Sequence, residues 1–151
     1  NQPANFELTC MNEKGEKEQV VMVHCAIMGS IERFMSTLIE HTAGNFPLWL
    51  SPVQVKILPI SEKFVDYAKK VYKEISDAEI RAEMDDSAES LGKRIRTAKM
   101  EKVPFILVLG EKEVEAGTVT VEMRGKDAGE THSLSDFIKY TLGDIAKKAI
   151  W

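Results

Sequence analysis

Hydrophobic positions follow two different rhythms in this chain, and the change falls at residues 46–52. Residues 6–11 and 19–24 read as two strands around a polar stretch, 12–17, that contains Gly15, which is the pattern of a hairpin. Val20, Val21, Met22 and Val23 are apolar without alternation, which predicts a strand buried on both faces. Gly29 and Ser30 then open a helical pattern. Ile31, Phe34, Met35, Leu38 and Ile39 recur at three and four, with Ser30 as N-cap and Gly44 as stop. Pro47 and Pro52 break the pattern, because the residue before a proline is pushed out of the helical region. Phe46, Leu48, Trp49 and Leu50 call for burial, so this is a domain boundary but not a flexible linker.

From Val53 onward strands and helices alternate. The pattern predicts a strand at 53–60 and a helix capped by Ser61, with Phe64, Ala68, Val71 and Ile75 on one face. A strand at 79–84 follows. Asp86 and Glu89 have capping-box spacing, which starts a helix with Leu91, Ile95 and Ala98 inward. Residues 104–109 form an apolar strand ending at Gly110, 111–117 a short helical turn, and 118–123 an alternating strand. A polar loop at 124–129 precedes the last helix, 133–148, whose apolar side is Leu134, Phe137, Ile138, Leu142, Ile145 and Ala149. The fold class expected is α/β: a mixed sheet flanked by helices, preceded by a strand–strand–helix piece.

Composition narrows the function. With 151 residues, 44% hydrophobic and 29% charged, the chain can bury one core, which excludes disorder, collagen and coiled coil. A net charge of −4 and a pI near 5.5 exclude a globally basic nucleic-acid binder. That charge is an average. The first fifty residues hold three basic and six acidic side chains, whereas residues 88–104 hold five basic and two acidic. Lys93, Arg94, Arg96 and Lys99 are expected on the outward face of their helix, with Lys102 beyond, and Gly92 would let a phosphate backbone come close. A solvated face is the commoner meaning of such a run. Cys10 and Cys25 lack CxxC spacing and are expected reduced; no apolar run is long enough for a membrane span, and the N-terminus lacks a signal-peptide plan. A cytoplasmic location with no membrane partner is therefore expected. The missing initiator Met reads as a piece of something larger.

Candidate chemistry is sparse. His24, the Gly29 turn and the start of the following helix place an imidazole, free N–H groups and Arg33 within a short stretch, which suits an anion. A lone His is weak support for zinc, which takes about four ligands. No P-loop, dinucleotide fingerprint or nucleophile triad is present. Asp85/Asp86 and Glu113/Glu115 can serve as acid–base groups or base acceptors, though caps and surface charge are commoner roles.

Residues 24–34, from His24 to Phe34, resemble the motif 3 region of the threonyl-tRNA synthetases, and residues 40–55 continue it in register. Lys93-Arg94-Ile95-Arg96, residues 103–114 and Arg124-Gly125-Lys126-Asp127 resemble that family's anticodon-binding domain. The resemblance implies that residues 1–44 close a class II catalytic domain and its antiparallel sheet, and that 51–151 form a class IIa anticodon-binding domain. The implied function is tRNA anticodon recognition within an ATP-dependent threonine–tRNA ligase; the alternative is a non-catalytic paralogue acting as an interaction or regulatory subunit. The resemblance assigns Arg33 to ATP, Ser30 to the threonine pocket, and His24 to one position of a zinc site whose other ligands lie upstream. It assigns Arg96 and Glu113 to anticodon bases and Lys93 and Arg94 to backbone phosphate. Three positions depart from the family pattern: Cys25 replaces its usual Arg, Ala88 a frequent Asn and Glu122 a frequent Arg, and the last two route base recognition toward Arg124. ATP and zinc would belong to the full-length enzyme, with none bound to this piece, which would be inactive alone. The implied partner is the tRNA anticodon stem–loop, with no DNA. The full-length enzyme would be a homodimer and this piece a monomer.

Overall fold

Residues 2–126 and 128–148 are described by the computed structural model, whose contacts divide the chain into two units, Asn1–Leu38 and Ile39–Trp151. The first unit starts with one helical turn, α1 (Gln2–Asn5), and then a hairpin of β1 (Thr9–Met11) and β2 (Lys17–Gln19). The strands are antiparallel, with Thr9 opposite Gln19. The turn forms as the sequence predicts: the Asn12 carboxamide oxygen accepts from the Lys14 and Glu16 N–H groups, both at 3.0 Å. The strands are shorter than the pattern suggests. Residues 20–24 belong to no strand, and Val21 is 88% exposed, which overturns burial on both faces. Among the described residues of this unit, a two-stranded ribbon supplies no layer to cover such a run.

Helix α2 (Ile31–Thr42) begins as predicted, with the Ser30 hydroxyl accepting from the Arg33 N–H at 3.2 Å. It ends where Ala43 and Gly44 take φ of 50° and 76°, and the Gly44 N–H reaches the Ile39 carbonyl at 3.1 Å. That left-handed pair is why a glycine is needed here. Its stripe residues Ile31, Phe34, Met35 and Ile39 are exposed.

The second unit carries a five-stranded sheet in the order β4-β3-β5-β6-β7. β3 (Val55–Pro59), β4 (Ala82–Met84) and β5 (Phe105–Leu109) are parallel; β6 (Thr118–Met123) and β7 (Glu130–Ser133) are antiparallel additions. Helices α3 (Val65–Asp77), α4 (Leu91–Met100), α5 (Glu111–Ala116) and α6 (Leu134–Lys147) connect and close it. β7 was not anticipated, since Glu130-Thr131-His132-Ser133 is polar and has no apolar alternation. An edge strand needs backbone pairing on one side only and can form from such residues.

β4 and β5 lie on opposite sides of β3. Crossovers of one hand therefore put α3 and α4 on opposite faces of the sheet. Burial follows that division. Ala68, Val71 and Ile75 of α3 and Phe137 of α6 join Val55, Ile57, Phe105, Leu107 and Val119 in the main core. Ala98 of α4 packs with Leu58 and Ile106 on the other face. Phe105 and Phe137 meet edge-to-face with ring centroids 5.5 Å apart.

Several local starts differ from the pattern. Ser61 precedes a 3-10 turn, Glu62–Phe64, and its hydroxyl makes no capping bond. The capping box expected at 86–89 does not form. The Asp85 carboxylate accepts from the Ser87 N–H at 3.0 Å, making a local turn, and α4 starts later, after Ser90. Leu142, expected inward, is 40% exposed, while Thr141 is fully buried and returns its hydroxyl to the Phe137 carbonyl. Ala149 lies outside the described residues.

Residues 46–52 are held by polar clamps. Leu48 is fully buried in the main core, Phe46 and Trp49 are half-buried, and Leu50 is exposed. Buried Gln54 donates to the Leu48 carbonyl and accepts from the Arg81 N–H, both at 2.9 Å. Arg81 in turn donates to the Ser51 and Trp49 carbonyls. Gln54→Leu keeps the volume and strands both partners, so it should lower stability by about 2–4 kcal/mol in urea unfolding; a loss below 0.5 kcal/mol (roughly the level of a neutral surface change) would show the clamp idle.

Candidate nucleic-acid interface

Coverage of the α4 face is incomplete. α4 lays Leu91, Ile95 and Ala98 over Leu58, Ile106 and Val108 of β3 and β5. Register carries the same face onward: Glu122 stands opposite Ile106, Thr120 opposite Val108, and Thr131 opposite Thr120. These are polar side chains, half-buried or exposed. They form the floor of a groove beside α4.

One side of that groove is basic. Lys93, Arg96 and Lys99 are three residues apart and so share one ridge of α4. Lys99 reaches down to Glu122 at 2.8 Å, and Lys93 pairs with Glu89 at 2.8 Å. Exposed pairs of this kind are worth about 1 kcal/mol or less, so a phosphate can displace the carboxylate. Arg96 is exposed and, among the described residues, has no ion pair. Below Lys99 a cavity of about 320 Å³ opens, lined in part by Ile106, Glu122, Arg124 and Lys126.

Glu113 closes the other end. Its carboxylate accepts from the Gly110 N–H at 2.9 Å and from the Thr120 hydroxyl at 2.7 Å. Burial pushes this carboxyl up, but the hydrogen bonds from Thr120 and the backbone outweigh it, so its pKa lies below the ordinary value. A Cβ at Gly110 would stand 2.6 Å from Ile60 Cδ1 and 3.3 Å from Glu113 Oε2, so a larger residue there needs the end of the Ile60 side chain to shift.

Arg94 is the main correction. It was expected outward with the other basic residues, but it is 6% exposed. Its guanidinium donates to the Asp85 carbonyl at 2.8 Å and the Pro59 carbonyl at 2.9 Å, and its Nε has no partner. The reason is helical phase. Residue 94 falls at i+3 from Leu91 and four before Ala98, inside the inward stripe. Arg94 thus ties the end of β3 to the turn that launches α4, and walls a cavity of about 340 Å³ beside Ala88 and Glu89. Arg124 is similarly engaged: it donates to the Lys102 and Phe46 carbonyls, both at 2.7 Å.

In the first unit, Ser30 is occupied as the α2 cap, and the Arg33 side chain lies near the positive-φ turn at Gly29. His24 is exposed in a stretch without regular structure. Among the described residues no three His, Cys, Asp or Glu side chains group as metal ligands, so this chain's donors do not by themselves fit zinc.

Residues 54–143 match the model of the family described as anticodon binding domain, which is more than half of the chain. The chain belongs to that family. It is 54% identical over 148 residues to the threonine–tRNA ligase of Clostridioides difficile, covering 97% of this chain and 23% of that protein. The corresponding ligase of Caldanaerobacter subterraneus is 47% identical, with 98% and 23% covered. Among solved structures, the RNA binding domain of threonyl-tRNA synthetase from Cryptosporidium parvum superposes with a TM-score of 0.82 at 34% identity, covering 95% of this chain and 36% of that one. The chain thus spans about a quarter of the curated relatives it matches. No described helix is long and apolar enough to cross a membrane.

The two arginines of α4 separate by experiment. Arg94→Met should cost about 2–3 kcal/mol of unfolding free energy, because two buried carbonyls lose a charged donor. Arg96→Met should stay within about 0.5 kcal/mol of the parent chain, as exposed changes do. Equal losses in thermal or urea unfolding would contradict the assigned phase of the helix.

Proposed function

We propose that this chain is the anticodon-reading part of a threonine–tRNA ligase, the enzyme that joins threonine to its tRNA in an ATP-dependent reaction. One observation carries the reading: an exposed arginine on a basic ridge stands beside an uncovered polar sheet floor that ends in a fixed carboxylate. The 54% identity to a named threonine–tRNA ligase supports that enzyme over a non-catalytic paralogue.

Sequence-specific RNA recognition takes unstacked bases, read on their edges by donors and acceptors. Arg96 can make paired hydrogen bonds to a base, and Glu113 can accept from base N–H groups. Lys93 and Lys99 hold backbone phosphate by exchanging their carboxylate partners for it. Arg94 and Arg124 act differently from what the sequence suggested. Their guanidinium groups hold the α4 turn and the β6 end in place, and the groove depends on both.

The first unit supplies Arg33 to neutralise triphosphate charge and Ser30 to shape the threonine pocket, within a catalytic domain completed by further sequence. His24 would offer one zinc ligand there. The parent enzyme is expected to be a cytoplasmic homodimer joined through its catalytic core, and this chain a monomer by sedimentation.

Arg96→Ala should weaken binding of a tRNA carrying a threonine anticodon by about 1–3 kcal/mol, measured by fluorescence titration at fixed salt. Unchanged affinity would remove Arg96 from the site. The 151-residue chain alone should show no threonine-dependent ATP–pyrophosphate exchange; turnover above background would contradict the division of labour.

A further inference from the structure

We infer that Thr120 and Thr131 form a one-way hydroxyl relay that fixes Glu113 as a pure acceptor at the end of the groove, making Thr120 a positioning residue for base recognition. The inference rests on the anticodon reading above and extends it to two threonines that the sequence did not single out.

The direction of the relay follows from proton counting. Thr120 has one hydroxyl hydrogen, and its oxygen lies 2.7 Å from Glu113 Oε1. An ionised carboxylate accepts only, so Thr120 donates to it. The Thr131 hydroxyl lies 3.2 Å from the Thr120 oxygen. With its only hydrogen committed, Thr120 must accept there, and Thr131 donates. The chain therefore runs from Thr131 through Thr120 to Glu113.

Glu113 is pinned on both oxygens. Oε1 takes the Thr120 hydroxyl, and Oε2 takes the Gly110 N–H at 2.9 Å. Each oxygen keeps lone-pair capacity for a further donor. The result is a carboxylate of fixed plane with two adjacent acceptors, the complement of two neighbouring N–H groups on one base edge. Gly129 makes room for this arrangement: a Cβ there would stand 3.2 Å from Thr120 Cγ2. The geometry suits the ionised carboxylate, since each of its oxygens meets a hydroxyl or N–H donor. The lowered carboxyl pKa agrees, with Lys112 on its own helix and Tyr67 on α3 as the other titratable groups acting near it.

The relay links β7 to the site. Thr131 sits on the edge strand, and Thr120 on β6 spans the distance to α5. Nothing in the folding core needs these hydroxyls, since the apolar positions of β6 face the opposite side as Val119 and Val121.

The test uses the full chain with an anticodon stem–loop RNA carrying a threonine anticodon. Thr120→Val preserves shape and removes the donor. It should raise the Glu113 carboxyl pKa toward its ordinary value, read by carboxyl carbon NMR titration of the free protein. It should also weaken RNA binding about three- to tenfold, the worth of one hydrogen bond. Thr120→Ser should restore both values. Thr131→Val should shift both in the same direction by less, and this second variant decides the matter if Thr120→Val fails to fold. A Thr120→Val chain with the parent's carboxyl titration and affinity overturns the inference, as does a Thr120→Ser chain that rescues neither. If the parent chain does not bind the stem–loop, the anticodon reading fails and the inference falls with it. Parent binding with an unaffected Thr120→Val overturns the inference alone.

Discussion

A sheet has two faces, and this one is covered unequally. β3 sits between β4 and β5, so crossovers of the same hand place α3 and α4 on opposite sides. The chain then returns through β6 and β7 and lays α6 on the α3 side, where Phe137 meets Phe105. Two helices bury one face and a single ten-residue helix covers the other. The remainder of that second face carries the polar residues Glu122, Thr120 and Thr131 beside the basic helix. The proposed interface thus follows first from the topology.

Holding that floor open requires fixed edges, and polar clamps to backbone carbonyls supply them. Arg94 ties β3 to the turn before α4, Arg124 ties the end of β6 to residues 46 and 102, and Gln54 with Arg81 ties the 46–52 segment to β4. These guanidinium groups accept the cost of partial or full burial because each neutral carbonyl partner is otherwise unsatisfied. Glu113 is set by the same means from the opposite sign, a carboxylate held by N–H and O–H donors. The acidic net charge of the chain is an average, and residues 88–104 hold five basic and two acidic side chains.

Most elements of the second unit could be read from periodicity, because its apolar residues recur at two or at three and four with clear breaks. β5 and β6 fell almost on their predicted bounds. The first unit was harder. Residues 20–24 have strand composition, yet strand composition does not create a pairing partner, and Val21 remains exposed. β7 was missed for the converse reason: its residues have no apolar signature, and pairing with β6 alone makes them a strand. The site was half legible. Charge counting found the ridge of Lys93, Arg96 and Lys99, and the family resemblance singled out Arg96 and Glu113. Arg94 was misassigned although its spacing from Leu91 and Ala98 already placed it within the inward stripe. Thr120 and Thr131 carried no signal, since alternating threonines on a strand are ordinary.

By itself the sequence determined the order and type of the elements, the local excess of positive charge, and the residue types able to meet a base or a phosphate. These are properties of neighbours along the chain. Tertiary structure decided which arginine faces the groove, what Glu113 accepts from, and that Lys99 meets Glu122. Those depend on helix phase, on strand register and on which sheet face is left uncovered. A shift of one residue in register or about 100° in helix phase would change each answer while leaving the composition untouched.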